Sequence, residues 1–144
     1  MHNRERVCAI ARSWLGTPYH HMGRVKDAGV DCAMFPLEVY REAGLIGDVE
    51  VPYYPADWMM HRSEEIYLGI VQRLASELRS HEAAKPGDFV IYRFGRCFAH
   101  GAIVLEWPTI VHALTNRGVV LSDGEREGFL LGRAKKFLSL FPVL

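Results

Sequence analysis

Cysteine is scarce in this sequence. There are three, Cys8, Cys32 and Cys97, an odd number at irregular spacings in 144 residues. That argues against a disulfide framework and leaves free thiols as the reading. An excess of one charge is also missing, because seventeen Lys and Arg balance seventeen Asp and Glu. Without a net field, a basic run or an interleaved aromatic stripe, nothing points to nucleic acid or an anionic membrane as a partner. No apolar run approaches the roughly 20 residues of a membrane span. The charged start, Met1-His2-Asn3-Arg4-Glu5-Arg6, has no apolar h-region. The expectation is a protein made in the cytoplasm whose later export needs another vehicle. His-Glu-x-x-His helices, Cys-x-x-Cys pairs, internal repeats and domain linkers are absent as well.

What is present is an ordinary globular composition, 49% apolar and 24% charged. The length suits one core and a single domain over 1–144. Residues 3–15 place Val7, Ile10, Ala11 and Trp14 on one helical stripe, ended by Gly16. Cys8 lies beside that stripe and reads as a buried, inert thiol. A loop over 17–30 carries Pro18, Tyr19, His20, His21 and two glycines. A second apolar helical pattern runs from Asp31 to about Ala43, with Gly44 as its stop. Pro36 falls in its second turn, so an irregular first turn or a kink is expected there. After a Pro-rich loop over 47–55, four-residue steps of Ile66, Ile70, Leu74 and Leu78 predict helix across 57–80. Lys85-Pro86-Gly87-Asp88 is a turn. The period then becomes strand-like over 89–94, 101–105, 110–114 and 119–121, and residues 128–144 read as a strand or short helix. Helices first and strands afterwards define an α+β fold with an antiparallel sheet.

The chemistry centres on Cys32. Asp31 is a good N-cap residue, which would put Cys32 in the first turn of a helix, where the dipole lowers a thiol pKa. A thiol nucleophile also needs a base. His100 and His112 lie on successive strands, twelve residues apart, so they share a sheet face if the hairpin centres near Glu106. His100 can then take the thiol proton while His112 fixes its tautomer and ring plane. A strand histidine in an apolar run also reads as a core residue satisfied by a carbonyl, and the spacing alone leaves both open.

Five stretches together resemble the NlpC/p-sixty family of papain-like cysteine peptidases of bacterial cell walls. They are Ala11-Arg12-Ser13-Trp14-Leu15-Gly16-Thr17-Pro18-Tyr19, Gly29-Val30-Asp31-Cys32, Lys85-Pro86-Gly87-Asp88, His100-Gly101-Ala102-Ile103-Val104 and Val111-His112-Ala113. The resemblance implies Cys32 as nucleophile, His100 as base and His112 as third member of a Cys-His-His triad. It puts the Tyr19 hydroxyl at the oxyanion or substrate side. Asp31 and His20 are grouped with Tyr19 there, Asp31 through its cap and not as an acid. The implied reaction is cleavage of an amide bond in peptidoglycan stem peptides, between D-γ-glutamyl and a diamino acid, with no cofactor or metal. Ala33-Met34 replaces the Ser-Gly often found after the family's cysteine, and Gly101-Ala102 replaces a Val-Gly pair. Residues 19–24, 99–104 and an insertion over 54–58 resemble the phage, prophage and gene-transfer-agent branch. Phage tail proteins are therefore expected partners, and the cell wall or periplasm, reached with a phage-like particle, the expected place of action.

Other readings stand beside this one. His20, His21, His100, His112 and Cys97 could gather around zinc, but without a zinc-binding motif. Cys97 could be the nucleophile, but it lacks a helix start and an extended strand would turn it away from His100. His61 and His81 read as solvated or capping residues, and Tyr53 and Trp58 as loop anchors or a substrate wall. A tail-structural component with this fold, or an amidase or acyltransferase acting on a small molecule, are the alternatives to a peptidase.

Overall fold

The computed structural model describes residues 3–142. The first two residues of the charged start and the last two of the C-terminal segment lie outside the described residues. Helix α1 spans Asn3–Ser13. Its stripe packs as expected, with Val7, Ala11 and Trp14 buried and Ile10 packed from a half-buried position. The Cys8 thiol is not buried but half-exposed, in a shallow depression between Arg4, Arg12 and Pro86.

The loop after α1 is fastened at two points. The Gly16 N–H donates to the Val119 carbonyl at 3.0 Å, and the Val119 N–H returns to Thr17 at 2.9 Å. Only glycine fits at 118, where φ is +73° and a Cβ would collide with the Thr17 carbonyl. Further on, strands β1 (Arg24–Val25) and β2 (Gly29–Val30) pair, and Val30 bridges Tyr19. Residues 17–30 are thus held from both ends, in register with the residue that precedes Asp31 and Cys32.

Helix α2 is Met34–Glu42, three residues later than the sequence suggests. Pro36 therefore sits in its first turn, where the missing N–H has no partner to lose. Residues 31–33 form the irregular turn ahead of it. Gly44, with φ +80°, ends the helix as expected.

The expected helix over 57–80 is broken. Helices α3 (Trp58–His61) and α4 (Ile66–Leu74) are separated by extended residues, and β3 (Ser76–Glu77) follows. The sheet competes for this backbone. The Cys97 thiol donates to the carbonyls of Arg62 and Glu64, and the Phe98 N–H to the Glu65 carboxylate. Beyond Leu74, the Leu78 N–H donates to the Phe137 carbonyl at 2.7 Å. Ile66, Ile70 and Leu74 keep their helical spacing; Leu78 leaves it because tertiary pairing outweighs local period.

Strands β4 (Phe89–Phe94), β5 (Cys97–Val104), β6 (Thr109–Leu114), β7 (Gly118–Asp123) and β8 (Lys135–Ser139) complete an antiparallel sheet. Its order is β3-β8-β4-β5-β6-β7. Four strands match the sequence reading, β5 beginning earlier than expected, and the C-terminal segment contributes β8. The helices bury Phe35, Phe89, Ile91 and Ile103 on one face of the sheet. On the other face, residues 124–134 cross from β7 to β8 and cover Val90, Tyr92 and Ile110 with Leu130. Burying each large side chain in these layers is worth about 1.5–3 kcal/mol. The Lys85–Asp88 turn ties α1 to the sheet: buried Asp88 accepts from the Arg4 guanidinium (2.9 Å), the Ser139 hydroxyl (2.6 Å) and the Lys85 N–H (2.8 Å).

Candidate active site

The turn at residues 31–33 is built around the Asp31 carboxylate, which is almost wholly buried. One oxygen accepts the N–H groups of Ala33 (3.1 Å) and Met34 (2.9 Å), capping α2. The other accepts the Met22 N–H (2.7 Å) and the Tyr54 hydroxyl (2.5 Å). Asp31 is therefore a cap, as expected, and its oxygens are turned into the protein and not toward substrate. The Cys32 N–H is not among its partners and acts instead on the Cys32 sulfur and the Tyr19 hydroxyl.

The Cys32 sulfur lies 3.8 Å from the Tyr19 hydroxyl and 3.8 Å from the Ala99 carbonyl. The bridge between Tyr19 and Val30 brings that hydroxyl to the thiol. Ala99 reaches it through a β-bulge: Tyr92 pairs with His100 and Arg93 with Phe98, so Ala99 is the extra residue. A bulge bends a strand locally, and here it turns the start of β5 toward α2.

His100 and His112 do share a face, but not by direct opposition. Ile103 pairs with Val111 and Val104 with Ile110, which centres the hairpin on Trp107 and not on Glu106. The two histidines become diagonal neighbours, a separation that imidazole rings span. His100 Nε2 lies 2.9 Å from His112 Nδ1, with the rings nearly perpendicular. His112 Nε2 in turn lies 2.7 Å from the Ser122 hydroxyl on β7. Phe94 packs on His100 and Phe129 stacks on His112, shielding the pair from water.

Burial, followed by the neighbouring His112 and the charge of Arg133, holds His100 well below the usual imidazole value. Burial, with Arg117 adding to it, lowers His112 to about 4. The Cys32 thiol is pushed up to about 12, first by burial and then by the Asp31 charge. The Tyr19 hydroxyl and the N–H groups of Cys32 and Ala33 offset only part of this. The expectation of a helix-lowered thiol is thus corrected. Cys32 precedes the helix, and desolvation beside an anion outweighs the dipole. Both shifts favour a neutral thiol beside a neutral imidazole at rest. Burial and the nearby Cys32 and Asp31 likewise keep the Tyr19 hydroxyl protonated, so it is available as a donor.

Cys32, His100 and Tyr19 line one cleft of about 380 Å³, walled mainly by apolar side chains. Ala56 enters from the insertion over 54–58 and Met59 from α3, and Arg117 is the cationic wall. His20 does not join them. It is exposed and its Nδ1 contacts the His21 carbonyl. His21 contacts the Tyr54 carbonyl at 2.8 Å and helps hold the insertion. Cys97 is fully buried among helix-side core residues, away from the cleft. Trp58 is buried and Tyr53 exposed, neither lining the cleft. Among the described residues no three His, Cys, Asp or Glu side chains gather as a metal site. Sequence reasoning missed Ser122 and Arg117. Ser122 sits ten residues after His112, a spacing that points to it only once the β6–β7 register is known.

A cysteine in the turn before a buried helix, facing histidines on an antiparallel sheet, is the papain-like arrangement. The chain belongs to the NlpC/P60 family, whose sequence model matches residues 16–130. Its fold is similar to that of the NlpC/P60 domain of the peptidoglycan hydrolase SagA, at TM-score 0.64 and 19% identity, covering 96% of this chain and 98% of that one. It also resembles NlpC2 of Trichomonas vaginalis, at TM-score 0.69 and 15% identity, with 95% of this chain and 45% of that one covered. RipD of Mycobacterium tuberculosis, described as a non-catalytic NlpC/p60 domain protein adapted to peptidoglycan binding, aligns at TM-score 0.62 and 16% identity, with 98% and 99% covered. No curated protein matches the sequence.

Proposed function

We propose that this protein is a cysteine endopeptidase that hydrolyses an amide bond in peptidoglycan stem peptides. The observation that carries the reading is the convergence of Cys32, Tyr19 and His100 on one cleft, with buried His112 in contact with His100. His100 Nε2 is engaged by His112, which leaves His100 Nδ1 to receive the thiol proton as the sulfur attacks the carbonyl carbon. Because the thiol rests neutral, proton transfer accompanies attack and does not precede it. The oxyanion is met by the Cys32 N–H and the Tyr19 hydroxyl, contacts worth a few kcal/mol in such sites. Collapse expels the amine, which takes the proton from His100. His100 then deprotonates water, whose attack on the thioester releases the acid and returns Cys32.

The bond we favour joins D-γ-glutamyl to a diamino acid, supported by the resemblance of the residues around Cys32, His100 and His112. The same resemblance, over residues 19–24, 54–58 and 99–104, supports action at the cell wall by way of a phage-like particle and contact with phage tail proteins. RipD represents the contrary case, a domain of this fold that binds without turnover. Here the presence of nucleophile, base, orienting histidine and tyrosine favours turnover. The test is mass spectrometry of defined stem peptides after incubation with wild-type and Cys32→Ala protein. A newly freed diamino-acid amine seen only with wild type supports the reading. No cleavage by folded wild type overturns it in favour of a tail-structural or small-molecule role.

A further inference from the structure

The His100–His112 contact does not by itself make a base. Both rings are neutral at rest, so one proton lies along the 2.9 Å contact between His100 Nε2 and His112 Nδ1, and two arrangements satisfy it. In one, His100 carries its proton on Nε2 and donates to a bare His112 Nδ1. His100 Nδ1 is then an acceptor and can take the Cys32 proton. In the other, His112 Nδ1 carries the proton and donates to a bare His100 Nε2. His100 Nδ1 then bears hydrogen and cannot act as a base. The far end of His112 decides between them, because its remaining proton sits on Nε2 in the first case and is missing from Nε2 in the second.

That far end meets the Ser122 hydroxyl, which can accept from a protonated Nε2 or donate to a bare one. His112 is fully buried and its Nε2 lies 2.7 Å from the Ser122 hydroxyl, itself nine-tenths buried. Ser122 pairs with Ile110 across the β6–β7 ladder, in which His112 pairs with Val120, so backbone register places Ser122 one diagonal step from the histidine. Phe129 stacks on the His112 ring and hinders its rotation.

We propose that Ser122 is a positioning residue. By accepting the His112 Nε2–H, it holds the histidine pair in the tautomer that leaves His100 Nδ1 bare toward Cys32. Ser122 touches neither substrate nor thiol and acts only through His112. Removing its hydroxyl leaves a buried N–H without a partner, and the proton is driven to Nδ1, where His100 can accept it. The base is then lost although every member of the triad is still present.

The test begins without substrate. Nitrogen-15 NMR of histidine-labelled full-length protein at neutral pH reads the protonation of each ring nitrogen. Wild type should show His112 and His100 both protonated on Nε2. Ser122→Ala should move the His112 proton to Nδ1 and slow alkylation of Cys32 by iodoacetamide, followed by peptide mass mapping because Cys8 is half-exposed. On a stem peptide, kcat should fall roughly 10- to 100-fold with KM unchanged, and Ser122→Thr, which keeps the hydroxyl, should recover most of the loss. The turnover arm rests on the peptidase reading; the NMR and alkylation arms do not. A wild-type His112 protonated on Nδ1 overturns the proposal even if no variant folds. So does a Ser122→Ala protein with unchanged tautomer and alkylation. Tautomer and alkylation changes as described, with no stem peptide cleaved by wild type, keep Ser122 as a positioning residue and remove the peptidase reading alone.

Discussion

His112 lies one diagonal step from His100 across the β5–β6 hairpin, and their facing nitrogens are 2.9 Å apart. The contact crosses two strands whose register is set by a turn centred on Trp107, so the pair is as rigid as the sheet. That rigidity lets single substitutions separate catalysis from folding.

Cys32→Ala and His100→Ala should each abolish turnover of stem peptides while leaving circular dichroism unchanged, since neither removes a large core side chain. Cys97→Ala should leave kcat/KM as in wild type and lower stability by about 1 kcal/mol in urea denaturation, because its buried thiol donates to the carbonyls of Arg62 and Glu64 and does not line the cleft. Substantial activity in purified Cys32→Ala protein would sink the mechanism.

Tyr19→Phe removes a donor 3.8 Å from the sulfur and nothing else from the cleft. We expect kcat to fall about 10²-fold, with little change in melting temperature. An equal fall in 1/KM with kcat preserved would instead mark the hydroxyl as a substrate contact.

Protonation of the buried histidines should set the acid limits of both stability and activity. His112 titrates at about 4 in the fold against 6.5 when free, so between these values the unfolded chain binds the proton and the native state does not. Stability from this group is complete above pH 6.5 and falls as pH drops toward 4, by about 3 kcal/mol. Denaturant melts of wild type and His112→Gln across this window should differ in pH slope, the variant being flatter. Arg117 helps hold His112 down, so Arg117→Gln should move the acid limb of kcat/KM to higher pH. Because Arg117 is half exposed, that shift should shrink as salt is added.

Asp31→Asn tests the origin of the high thiol pKa. Loss of the charge removes the second largest cause, so the pH profile of Cys32 alkylation should move to lower pH. The same change weakens the bonds from Met22, Ala33, Met34 and Tyr54, and the protein should lose roughly 2–4 kcal/mol of stability. An unmoved alkylation profile would place the cause in desolvation alone.

The sequence by itself determined the order of helices before strands, the cap at Asp31, the turn at residues 85–88 and the parity that puts His100 and His112 on one face. These follow from local periods, from turn and cap chemistry, and from the two-residue repeat of a strand, all of which act over a few residues. Only the tertiary structure decided the rest. The hairpin centre at Trp107, the bulge at Ala99 and the break after His61 arise from pairing between distant backbone segments, which no local pattern encodes. The contact from His112 to Ser122 depends on the β6–β7 register in the same way. The high pKa of Cys32 was hidden for a related reason: a helix start is visible in sequence, but the depth of burial that outweighs its dipole belongs to the packed chain.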